Sequence, residues 1–61
     1  MDKHTAIQAA VNAAAVATQA INDYGRDSDE ARGALDAART AVTTARQHGA
    51  TEDDLRTARP A

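Results

Sequence analysis

HTAIQAAVNAAAVATQAIN, residues 4–22, contains no Asp, Glu, Lys or Arg. Asp2 and Lys3 precede it, Asp23 follows it, and every other formal charge lies from Arg26 onward. The stretch is rich in alanine, and no Gly or Pro interrupts it before Gly25, so it reads as one long helix. A helix without charge, in a chain of net charge −2, needs cover on more than one side.

Working outward, Asp2 is placed to cap the helix and to complement the positive end of its dipole. Gly25 stands where a helix ends in a positive-φ residue. The first helix is therefore expected over about 3–24. Gly25-Arg26-Asp27-Ser28 forms a link, in which Asp27 with Glu30 reads as a capping box and Ser28 is the alternative cap. A second helix follows over about 28–48, closed by Arg46, His48 and Gly49. Thr51 and Asp54 form another capping box, which opens a short third helix over about 52–58 before Pro60. The whole reads as one all-α domain, residues 1–61, with 59–61 frayed: an antiparallel helical hairpin with a short third helix across its open end.

Two apolar stripes run along the first helix. Ile7, Val11, Ala14, Thr18 and Ile21 follow 4, 3, 4, 3 spacing, and this seam, which carries most of the larger side chains, is expected to face the second helix. Ala6, Ala9, Ala13, Val16 and Ala20 follow 3, 4, 3, 4 spacing on a different side. Only Gln8, Asn12 and Gln19 form a polar band. On the second helix the seam is Ala31, Leu35, Ala38, Val42 and Ala45, flanked by Ala34 and Ala41, while Asp29, Arg32, Asp36, Arg39, Thr43 and Arg46 face solvent. Aligning the hairpin about its turn sets Ile7 beside Ala45, Val11 beside Val42, Ala14 beside Ala38 and Thr18 beside Leu35. Gly33 marks a close backbone approach or a tolerated defect in the helix interior.

With no Cys, Trp or Phe in 61 residues, neither a disulfide nor a large aromatic core can staple the fold, and oligomerisation is the usual remedy. The chain is expected to form a two-fold homodimer, giving a four-helix bundle, or to dock on a helical protein partner. The Ala6, Ala9, Ala13, Val16 and Ala20 stripe is the expected interface, nearly symmetric about Ala13.

No chemistry-bearing constellation stands out. His4 and His48 fall at the same end of the hairpin but lack metal-type spacing, so no metal site and no cofactor are expected. Ser28 is a capping position, Gly25, Gly33 and Gly49 are isolated, and no apolar pocket is in prospect to raise a carboxylate pKa; an enzyme is not expected. The 4–22 stretch is too rich in Ala, Gln and Asn to drive membrane insertion, and a cytoplasmic location is expected. Ala45 to Arg56, ARQHGATEDDLR, resembles the helix–Gly-turn–helix entry of helix-turn-helix regulators over about a dozen residues. That resemblance would imply a recognition helix beyond it. Pro60 stands there instead, and three acids open the short helix, where they would repel phosphate. Arg32, Arg39 and Arg46, spaced seven apart, offer the alternative reading of a small nucleic-acid-binding regulator. Asp29 and Asp36 dilute that stripe. The leading expectation is thus a non-enzymatic interaction or regulatory module working through its helix surfaces.

Overall fold

Three caps decide where the helices begin. In a computed structural model describing residues 1–60, Asp2 Oδ1 accepts the Thr5 N–H at 2.7 Å and opens α1, Lys3–Tyr24. Ser28 Oγ accepts the Ala31 N–H at 3.1 Å and opens α2, Asp29–Gln47. Thr51 and Asp54 exchange side-chain bonds with each other's backbone N–H at 3.1 and 3.0 Å and open α3, Glu52–Thr57. The expected Asp27–Glu30 box does not form at α2. The Ser28 hydroxyl accepts from Ala31 while donating to the Gly25 carbonyl at 2.7 Å, so one side chain ties both ends of the link. A carboxylate, which only accepts, cannot make both bonds.

Both long helices stop at a glycine. Gly25, at φ 91° and ψ 155°, occupies backbone space essentially reserved for glycine. Gly49, at φ 95°, sits inside a C-terminal clasp: its N–H bonds the Arg46 carbonyl and the Ala50 N–H bonds the Ala45 carbonyl, both at 3.0 Å. Ala50 also packs against the buried cluster of Ala6, Ala10 and Ala45; an apolar contact commonly accompanies this type of helix end. Gly33, in mid-α2, has open space where a Cβ would stand. It marks no close approach.

α1 and α2 pack against each other as a hairpin, and the contact line is made entirely of alanine. Ala6, Ala10 and Ala17 of α1 and Ala31, Ala38 and Ala45 of α2 are buried. Among the described residues no large side chain is fully buried. This corrects the orientation expected for α1: Ala14 and Thr18 are exposed, and Ile7, Val11 and Ile21 are half-buried. At about 100° per residue, the Ile7–Ile21 seam lies about 80° to one side of the contact line, and the Ala9–Ala20 row about 70° to the other. Close-approaching helices place their smallest side chains on the line of contact, where larger ones would hold the axes apart. The expected axial register is nearly right, since Ala6 and Ala10 meet Ala45. The rotation of α1 is what differs.

α3 lies across one end of this hairpin. Leu55 packs against the Ala6, Ala10 and Ala45 cluster together with Val42, and Lys3 Nζ pairs with Asp54 Oδ2 at 3.1 Å. Beyond α3, the Arg59 carbonyl accepts from Gln8 Nε2 at 2.9 Å. Of the segment expected to fray, Ala61 lies outside the described residues.

Candidate interaction surfaces

In an antiparallel pair, equal rotations away from the contact line turn both helices toward the same face of the hairpin. The contact line therefore divides the molecule into two faces of different character. One gathers Ile7, Val11, Ala14, Thr18 and Ile21 of α1 with Leu35 and Val42 of α2, which lie about 50° off the α2 contact line. α3 covers the Ile7 end of this face through Leu55 and the Lys3–Asp54 pair. The other face gathers Ala9, Ala13, Val16 and Ala20 of α1 with Ala34 and Ala41 of α2, and we call it the alanine face.

The five residues expected to form an interface divide accordingly. Ala6 is 1% exposed and belongs to the intrachain core. Ala9 and Val16 are exposed, and Ala13 and Ala20 are half-buried at the edge of the contact line. Val16 is 61% exposed, one of three large apolar side chains so exposed among the described residues, with Met1 and Tyr24 near helix ends. Ala10 and Ala17 belong to neither apolar stripe of the sequence. Their spacing of seven matches that of Ala31, Ala38 and Ala45, and that shared heptad of alanines was the signal available for them.

Several polar side chains of α1 bond along the helix itself. Gln8 Nε2 donates to Asn12 Oδ1 at 3.1 Å and Gln19 Nε2 to Asp23 at 3.0 Å, both one turn apart along the helix. The Thr18 hydroxyl returns to the Ala14 carbonyl at 3.1 Å. None of the described buried side-chain polar atoms lacks a hydrogen-bond partner.

On α2, Arg32, Arg39 and Arg46 are all exposed. Arg39 and Arg46 border a shallow, open groove of about 310 Å³, lined also by Leu35, Ala38, Val42 and Thr43. That volume is at the low end for a small-molecule site, and the groove lacks the enclosure such sites use to bury a ligand. Arg39 Nη1 lies 3.8 Å from Asp36 Oδ1 with both side chains 77% exposed. Among the described residues, Arg32 and Arg46 make no ion pair.

Both described carboxylates with displaced acidity take part in capping a helix start, Asp2 as the α1 cap and Asp54 as the capping-box partner of Thr51. Asp54 is held below its ordinary pKa of 3.8 by the Thr51 backbone N–H and then by the Lys3 ammonium. Asp2 is lowered by the Thr5 backbone N–H. Each shift has a structural cause at a helix start. His4 and His48 are exposed, and among the described residues no group of three or more His, Cys, Asp or Glu is arranged to hold a metal ion. No described helix is long and apolar enough to cross a membrane.

No protein-family model matches the chain, and no curated protein or solved structure is significantly similar to it.

Proposed function

We propose that this protein is a non-enzymatic interaction module that pairs with a second copy of itself through the alanine face. The supporting observation is Val16: a branched side chain 61% exposed, midway along a helix with no charge from His4 to Asn22. A solvated helix face ordinarily carries Glu, Lys or Arg, as α2 does. Here Ala9, Ala13, Val16 and Ala20 stand in a row beside Ala34 and Ala41, small enough for another helix to approach closely. A neutral surface also meets its own copy without like-charge repulsion.

A two-fold axis near Ala13 sets Ala9 against the region of Val16 on an antiparallel partner, an isologous contact. Ala6, being buried, takes no part in it. Two hairpins joined this way form a four-helix bundle with α1 inside and the charged flank of α2 outside.

Sedimentation equilibrium tests the reading. The wild type should sediment as a dimer at micromolar concentration. Val16→Glu should shift it to monomer while keeping most of its helicity, because residue 16 lies off the intrachain contact line. A wild type that is monomeric and fully helical at those concentrations refutes it.

A further inference from the structure

We infer that the Leu35–Val42 groove on α2 is a second docking surface, and that it receives an acidic amphipathic helix of another protein. The groove has an apolar floor of Leu35, Ala38 and Val42 and a basic rim of Arg39 and Arg46. Arg32 continues the rim one heptad further on, so guanidinium groups recur every seven residues beside the apolar row. From Arg32 to Arg46 the row is about 21 Å long. This is the pattern a helix reads: apolar anchors at i, i+3 or i+4, and i+7, with charges beside them.

Charge decides the occupant. A second copy of α2 laid in the groove about a two-fold axis at Arg39 would put Arg32 beside its partner's Arg46 and oppose the two Arg39 side chains. That is like-charge juxtaposition. α1 of a second copy carries no carboxylate from residue 4 to residue 22 to answer the arginines. The carboxylates that open α3 lie around the Thr51 cap, with Asp54 bonded to Lys3 and Asp53 near Arg56 at 3.7 Å. The Arg39–Asp36 contact, long and exposed at both ends, is of the weak kind that an incoming carboxylate can replace. Phosphate could contact the rim, but it would leave Leu35 and Val42 without a counterpart. An acidic helix satisfies both floor and rim.

The surface lies on the face opposite the alanine row, so it remains open in the proposed dimer and does not depend on it. Fluorescence anisotropy with a synthetic probe tests it: a labelled helical peptide of about 20 residues, ~30 Å long, with Leu along one seam, Glu on both flanks and no Lys or Arg. The full-length protein should bind this peptide at low salt, and more weakly as salt rises. The same peptide with every Glu replaced by Lys should not bind. Arg39→Gln/Arg46→Gln should weaken binding by about tenfold, and Leu35→Ala should also weaken it, with helicity by circular dichroism unchanged in both variants.

The proposal fails if neither peptide saturates at millimolar protein or if both bind equally. It also fails if single-stranded RNA of about 20 nucleotides binds with dependence on Arg39 and Arg46 but indifference to Leu35→Ala, which would make the groove a phosphate surface. Sedimentation of the same variants separates this outcome from that of the dimer. The arginine substitutions should leave the oligomeric state unchanged, and Val16→Glu should leave peptide binding intact.

Discussion

α1 and α2 do the same structural work with opposite sequences. Each buries three alanines along a single line, and each starts at a capped N-terminus and stops at a positive-φ glycine or the clasp around one. α2 wears its orientation openly: Arg32, Asp36, Arg39 and Arg46 occupy the flank away from Ala31, Ala38 and Ala45. α1 has no such marks between His4 and Asn22. Its apolar residues surround most of the helix, and two stripes have nearly equal claim to face inward. The difference teaches that charged residues, more than apolar ones, fix the rotation of a helix about its axis, because exposing an alanine costs little while burying a charge costs much.

The comparison breaks most sharply at the contact line of α1. Ala10→Leu should force the two helices apart and destabilise the hairpin by about 1–3 kcal/mol. Ala14→Leu, one turn along and turned off the line, should stay within about ±0.5 kcal/mol. Chemical denaturation followed by circular dichroism checks the pair. If Ala14→Leu proved the more damaging, the seam read from periodicity would be the true one.

The junction between the helices offers a smaller and more local test. Ser28→Ala should cost about 1 kcal/mol through loss of the α2 cap. Asp27→Ala, whose side chain does not cap the helix, should change thermal stability little. Equal losses would return the capping role to the Asp27–Glu30 pair.

The smallest effect concerns α3, which packs on the start of α1 at the open end of the hairpin. Asp54 has a lowered pKa in the folded protein, so its ionised form favours folding. That contribution is fully present above the ordinary carboxylate value of 3.8 and declines as pH falls through the lower folded value. Amide-exchange protection at Leu55 and Ala58 should therefore drop on acidification below that value before protection in the middle of α1 and α2. The loss should be blunted in Asp54→Asn, which does not titrate. Uniform loss across all three helices would show that α3 has no separate stability.

Much of the fold was legible in the residues. Asp2, Gly25, Thr51 with Asp54, and Gly49 carry end signals that act within a turn of helix, and they placed the boundaries to within about one residue. The buried alanines of the α2 seam, Ala31, Ala38 and Ala45, were legible because the charges on the opposite flank oppose turning them outward. At the α2 cap, two good candidates stood side by side, and the choice of Ser28 depended on a bond to the Gly25 carbonyl formed only once the link closes. On the interaction surfaces, Ala9, Ala13, Val16 and Ala20 were legible as a row. Ala6 was misplaced among them because it is adjacent on the helix to both the row and the contact line. The groove was half legible: the arginine heptad is plain, but that Leu35 and Val42 flank the contact line half-buried depends on the rotation α2 takes in the folded hairpin.

By itself, then, the sequence determined three helices, their ends, their antiparallel pairing and their approximate register, since each follows from propensity, capping and link length acting over a few residues. Only the tertiary structure decided how α1 is rotated, and with it which apolar stripe lies on which face. That choice rests on how near two helix axes can come. Alanine on the line of contact allows the nearest approach, and it turns the larger side chains out to the flanks, where they form the surfaces described here.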